Sequence, residues 1–277
     1  MIVAVAVGGY SLALPSPIDP VRLAILALSG ATASFGAAML NHYLDRDLDR
    51  TMARTQHRPL ADGRVRSERG VAAAGLVLSA VGVGAATVLL NPLTGVSILL
   101  GGVTYVLIYT AWLKRRSSWN IVIGGFAGSA PVLAGSAAAV GGWTPAAIAF
   151  AVLVFFWTPP HFWSLAVLLR DDYRRAGLPM LPRMDDLAYS GRVIVVSTLA
   201  LFASTGALVA TGTLAWPIAV VALALGATFV GLTAPMWKGA MRRAARRGFF
   251  YSGPYLLALV VAVIINWPLV GRGVGGW

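Results

Sequence analysis

Asn41-His42-Tyr43-Leu44-Asp45-Arg46-Asp47-Leu48-Asp49-Arg50 lies where a long apolar segment runs out. Asn41, Asp45 and Asp49 are spaced four apart, which on a helix makes one slowly drifting row of oxygen-bearing side chains. Carboxylates at the mouth of a membrane helix are costly and therefore point to function. Carboxylate and amide oxygens suit a hard cation such as Mg2+, which in turn holds phosphate. The row predicts a metal–diphosphate site. Arg46, Arg50, Arg54 and Arg58 also recur every four residues, so a solvated helix end of paired acids and arginines is the competing reading. Asp47 points about 200° away from Asp45 and reads as a solvated or salt-bridged residue.

Outward from this stretch, composition sets the medium. Of the 277 residues, 58% are hydrophobic and 12% charged, against about 25% charged in soluble domains. Apolar runs near 22–43, 70–90, 93–112, 120–140, 144–169, 192–212, 214–234 and 249–270, with Met1 to Leu14, predict nine helices. The expectation is an all-α, polytopic membrane protein with a single membrane domain over 1–277, its helices around a central cavity. Asn91-Pro92, Gly141-Gly142 and Thr211-Gly212-Thr213 divide the close pairs. The first run is short, is closed by Pro15-Ser16-Pro17, and lacks the basic flank of a signal peptide. It reads as a span whose start is truncated or mis-assigned. With no cysteine in the chain, disulfides, thiolate metal sites and thiol catalysis are excluded.

The net charge is +12, and its placement matters more than its size. Loops 44–69, 113–119, 170–192 and 237–247 hold 20 of the 22 basic residues. They are alternate loops, so the positive-inside rule makes them cytoplasmic, with the N-terminus inside and the C-terminus outside. That rule accounts for the charge without invoking nucleic acid. Nine of the ten acids fall in the first and third of these loops. Orientation needs no acids, and a shared cation site explains their pairing.

Asp171 and Asp172 form the second acidic cluster, beside Arg170 and Arg174. With the first cluster they could hold one or two Mg2+ ions across a cavity, bridging diphosphate oxygens; alone, they are an ordinary charged helix end. Arg54, Arg58, Lys114 and Arg115 are candidate anion binders, with positive-inside flanking as the alternative. Trp157-Thr158-Pro159-Pro160-His161-Phe162-Trp163 puts two prolines inside an apolar span, predicting a kink and freed carbonyls. His161 sits beside that break, either as a hydrogen-bonded structural residue or as a functional one facing a ring system or an iron. The surrounding aromatics could line a hydrophobic chain or simply pack. His42 and His57 carry less: one is about 100° off the row, the other lies in a polar loop.

Asn41-(x3)-Asp45-Arg46-Asp47-Leu48-Asp49-(x2)-Met52-(x)-Arg54-Thr55-(x2)-Arg58-Pro59-Leu60 resembles the first motif of the intramembrane prenyltransferases, the UbiA superfamily. Tyr109-Thr110-(x2)-Leu113-Lys114-Arg115 and Asn120-Ile121-Val122-Ile123-Gly124-Gly125 look like its middle region. Pro160-His161-Phe162-Trp163-Ser164-Leu165-Ala166, with Asp171-Asp172-Tyr173-(x2)-Ala176-Gly177-Leu178-Pro179-Met180-Leu181-Pro182, resembles the branch of protohaem IX farnesyltransferases. The similarity runs from about residue 30 to the last helix. It departs in two places. The Asp-(x3)-Asp second motif of many members is here Leu169 and Tyr173, with Asp171 and Asp172 between them. The usual Lys-Pro segment before the first helix is absent.

The resemblance implies a cavity open to the cytoplasm and to lipid, in the inner cell membrane. It implies farnesyl transfer from farnesyl diphosphate to a vinyl group of haem B, with Mg2+ as cofactor. Asn41, Asp45 and Asp49 with Asp171 or Asp172 would hold the metal. Arg46, Arg54, Arg58, Lys114 and Arg115 would bind diphosphate, and His161 would contact haem. Asp45, Asp49, Asp172 and Tyr173 would be the catalytic set, Tyr173 steadying cationic charge through its ring. Terminal-oxidase or haem A synthesis proteins are the protein partners it suggests. A transferase acting on a quinone precursor, and a non-catalytic haem-binding transporter, are the alternatives.

Overall fold

A computed structural model describes residues 1–13, 18–181 and 186–271, those after Asn266 by backbone alone. Pro15-Ser16-Pro17, Pro182, Arg183 and Asp185 lie outside the described residues. The elements are α1 (Ile2–Ala13), α2 (Pro20–Thr51), α3 (Glu68–Leu89), α4 (Pro92–Leu113), α5 (Asn120–Val140), α6 (Pro145–Leu168), α7 (Arg170–Arg175), α8 (Leu187–Ala210), α9 (Trp216–Lys238) and α10 (Met241–Gly271). Among the described residues, 8 helices are long and apolar enough to cross a membrane, and α1 is a shorter apolar one. The all-α, multi-pass architecture follows the hydropathy pattern.

Three helix starts away from the basic loops share one chemistry. Asp19, Asn91 and Thr144 each accept a backbone N–H from the first turn, and proline follows each of them. The cap satisfies an orphan donor, and the proline occupies a position that needs none. Asn91 also donates from Nδ2 to the Ala137 carbonyl at 2.8 Å, tying α4 to the end of α5.

Small residues let helices approach where lipid supplies no hydrophobic drive. Ser29, Ala33 and Gly36 of α2 face Gly75, Ser79 and Gly82 of α3. A Cβ on Gly36 would lie 2.5 Å from the Gly75 carbonyl oxygen, and one on Gly82 would lie 2.5 Å from Ala33 N. The short α1 is held to α5 in the same way: a Cβ on Gly9 would fall 2.1 Å from the Val132 oxygen. Outward, Leu28, Phe35, Leu76, Val88 and Val220 remain exposed, the surface expected against acyl chains.

Two differences from the sequence expectation bear on the site. First, α2 does not stop near residue 43 but continues to Thr51, so the whole acidic row rides on one rigid helix. Likewise α10 begins at Met241, inside the expected basic loop. Secondly, α6 stays helical through Pro159 and Pro160 rather than breaking there. The neighbouring helix supports this stretch where Trp157 Nε1 donates to the Ser252 carbonyl at 2.8 Å, and within α6 Thr158 Oγ1 donates to Val154 O at 3.2 Å. One span departs from α-geometry. From Thr104 to Leu113, α4 winds as a π-helix, with wider turns that frequently mark functional sites.

Candidate functional site

The basic ends of the helices converge. Met52, Trp163, Tyr173, Met180, Ile194, Met241 and Ala245 share one apolar cluster, so residues from or beside the first, third and fourth basic loops meet at one end. Met52, Tyr173 and Met180 of this cluster also form part of the wall of a cavity of about 270 Å³. Its polar lining is Asn41, Asp49, Arg54, Arg58, Lys114 and Tyr173, and Tyr105, Tyr109, Thr158 and Phe162 also face it.

The acidic row is buried: Asn41 is 6% exposed, Asp45 1% and Asp49 3%. Each carboxylate is gripped by a cation from elsewhere in the chain. Lys114 Nζ is 2.5 Å from Asp45 Oδ2, and an Arg58 guanidinium nitrogen reaches both Asp49 oxygens at 2.9 and 3.1 Å. Asn41 Nδ2 donates to Asp45 Oδ2 and to Thr110 Oγ1, each at 2.9 Å. Asp47 is exposed and pairs with Arg50, pointing away as its angle demands.

The other predicted residues separate. Arg54 lines the cavity and makes no ion pair among the described residues. Arg46 turns outward, with Nε 2.8 Å from Glu68 Oε2, and ties α2 to α3. Arg115 is exposed and donates to the Leu44 carbonyl. In the second cluster, Asp172 is buried and bonded by Arg175, while Asp171 is exposed and lies 3.5 Å from Arg174. Neither acid lines the cavity, but their neighbour Tyr173 does. Burial pushes the Tyr173 phenol above its ordinary range, Asp172 adds to this, and Arg54 opposes it. The ring therefore stays neutral beside the cavity. His161 is half-buried, and its ring stacks between Trp157 at 4.3 Å and Phe249 at 5.1 Å. Its Nδ1 is 2.6 Å from Ser252 Oγ.

Whether these residues suit a divalent cation can be read from one atom. Asp45 Oδ1 is buried and has no hydrogen-bond partner among the described residues, an arrangement that costs free energy unless a ligand completes it. Among the described residues no three His, Cys, Asp or Glu side chains gather as a metal cluster. The set is instead two carboxylates and an amide, which fits Mg2+, an ion commonly held by one or two carboxylates with substrate phosphates and water.

A second cavity, about 430 Å³, adjoins the first. It runs between α1, α2, α4 and α5 and is lined by small or apolar residues such as Ala6, Gly30, Ala37, Gly102 and Ala134. Tyr105 lines both cavities. Tyr105, Thr110, Met52, Thr158 and Met180 were not singled out as site residues from sequence. Thr110 lay in a quoted motif, but nothing in the sequence marked its π-turn.

The UbiA prenyltransferase family profile matches residues 1–253. The chain belongs to the UbiA prenyltransferase family. One relative, protoheme IX farnesyltransferase 1 of Paramagnetospirillum magneticum, is 41% identical over 96% of this chain and 93% of its own length. A UbiA homolog from Archaeoglobus fulgidus, solved bound to DMAPP and Mg2+, superposes with TM-score 0.71 at 18% identity, covering 95% of this chain and 94% of that one. A structure described for digeranylgeranylglyceryl phosphate synthase gives TM-score 0.78 at 12% identity, covering 96% and 92%. At such identities the likeness is one of fold. In this chain the polar cavity lies at the basic end of the bundle and meets the apolar one at Tyr105.

Proposed function

We propose that this chain transfers the farnesyl group of farnesyl diphosphate to a vinyl group of haem B, giving haem O and diphosphate. The observation that carries the donor half is the meeting of the polar and apolar cavities at Tyr105, which matches a charged head on an apolar tail. The acceptor half rests on the relative named protoheme IX farnesyltransferase 1, aligned over nearly the whole chain.

Asn41, Asp45 and Asp49 would hold Mg2+, while Asp172 stands outside the cavity lining, bonded to Arg175 beside Tyr173. The bound ion would neutralise charge on the departing diphosphate. Arg54, unpaired among the described residues and facing the cavity, binds diphosphate oxygens, and Lys114 and Arg58 stand beside it; Arg46 and Arg115 hold the helix ends. The chain lies in the apolar cavity, whose walls keep water from an allylic cation as the C–O bond breaks. Tyr173, kept neutral, presents its ring to that cation. The haem vinyl group attacks, forming the new C–C bond. Water then adds to the resulting carbocation and loses a proton, giving the hydroxyethyl-farnesyl product. His161 contacts haem: Ser252 anchors Nδ1 and leaves Nε2 as the nitrogen for a metal or ring. The basic loops and the cavity between them face the cytoplasm under the positive-inside rule.

Incubating purified protein with haem B, farnesyl diphosphate and Mg2+, with mass analysis of the haem, tests the whole reading. The expected product gains a farnesyl group and a hydroxyl group and disappears with EDTA. Unchanged haem under conditions where the donor is bound would sink the acceptor assignment. His161→Ala should weaken the visible-spectrum titration with haem while leaving diphosphate binding in place; equal loss of both would make His161 a packing residue.

A further inference from the structure

Thr110 stands in the π-helical part of α4, buried at 2% exposure. Its hydroxyl has two neighbours. Thr110 Oγ1 donates to the Tyr105 carbonyl five residues back at 2.8 Å, a reach that the wider π-turn permits. Asn41 Nδ2 lies 2.9 Å from the same oxygen. A hydroxyl has one proton. A carbonyl can only accept, so that proton goes to Tyr105, and toward Asn41 the hydroxyl is an acceptor.

This settles the Asn41 amide. Thr110 requires the NH2 end to face it. The second hydrogen of that NH2 goes to Asp45 Oδ2, 2.9 Å away. Both amide donors are then spent, and Oδ1 is the end left for the cavity that Asn41 lines. Asp45 alone would hold the amide poorly, because its Oδ2 also carries Lys114 and sits in the row that would take a cation. Thr110 takes no part in that row, so its hold persists when Asp45 changes partners.

We propose that Thr110 is a positioning residue: its hydroxyl, committed to the Tyr105 carbonyl by the π-turn, fixes the Asn41 amide with Oδ1 aimed at the cation. The inference rests on the reading of Asn41, Asp45 and Asp49 as cation ligands. It adds to that row a residue that would never touch the metal or the substrate. Outer-shell partners of this kind commonly govern affinity by about 10- to 100-fold.

The test is Mn2+ binding to the full-length protein in detergent, with inorganic diphosphate present, read by electron paramagnetic resonance. Thr110→Val keeps the shape and removes the hydroxyl; it should weaken Mn2+ binding about 10-fold or more. Thr110→Ser should restore it. Asn41→Ala combined with Thr110→Val should bind no worse than Asn41→Ala alone, because the two act as one unit. If Thr110→Val melts early, Thr110→Ala with the same cycle replaces it. Wild-type Mn2+ affinity in the Thr110 variants, with loss in Asn41→Ala, overturns the positioning role and leaves the metal row standing. Additive losses in the double variant also overturn it. Unchanged affinity in Asn41→Ala, Asp45→Ala and Asp49→Ala alike would instead remove the metal reading beneath it.

Discussion

The acidic row on α2 and the acidic pair on α7 look alike in the sequence, each at the end of an apolar span among arginines, yet the structure treats them differently. Acids four apart share a helix face, so Asp45 and Asp49 are both buried and both held by distant cations. Adjacent acids diverge by about 100°, so Asp172 turns inward while Asp171 stays exposed with Arg174. Their partners differ as well. Lys114 and Arg58 come from outside α2, whereas Arg174 and Arg175 belong to the same short helix as their acids. A carboxylate neutralised across the fold is committed to a site, while one neutralised within its own turn can be little more than a solvated helix end.

The contrast can be broken most severely at its buried side. Asp45→Ala or Asp49→Ala should lower farnesyl transfer by about 10³-fold or more, a loss typical of removing preorganised charge; product mass from the haem assay measures it. Near-normal turnover in either would dissolve the distinction between the clusters. Next in size, Asp172→Asn and Lys114→Met should each cost about 10- to 100-fold, the scale of a hydrogen bond to a charged group. Lys114→Met should show its loss partly as a raised KM for the prenyl diphosphate. Smallest, Asp171→Asn and Arg174→Met should stay within about twofold of wild type, as exposed pairs do. A large loss at Asp171 would place the second cluster's function on its outer face.

A further variant separates the two cavities. Gly102 lines the apolar one, and a Cβ there would meet nothing within 4 Å. Gly102→Phe should therefore fold normally but fill the space. It should reduce farnesyl transfer about 10-fold while sparing a dimethylallyl donor, compared by kcat/KM for the two donors.

The helices were legible because long apolar runs have one solution in lipid, and the acidic row because its spacing names a face. The outward turn of Asp47 followed from the same angle, and that angle applied to Asp171 and Asp172 would have told them apart. The end of α2 was misread because polarity was taken for a loop: Asp45 to Arg50 is charged, but it is held helical by partners far along the chain. The π-turn was not legible. Thr104 to Leu113 reads as ordinary apolar helix, and a one-residue change of register depends on what α2 and α5 press against it. The role of Thr110 went with it. His161 was visible as an intramembrane histidine, but its bond to Ser252 joins positions 91 residues apart and has no local trace.

The seam between α2 and α3 acts as a fulcrum. Asp49 stands 13 residues beyond Gly36 on one unbroken helix, an arm of about 20 Å. A methyl group at Gly36 would collide with the backbone of α3, and the parting it forced would be magnified at the far tip. Reacting groups misplaced by about 1 Å can lose a hundredfold in rate. The aim of the carboxylates is thus calibrated deep in the acyl layer, by residues chosen for having almost no side chain.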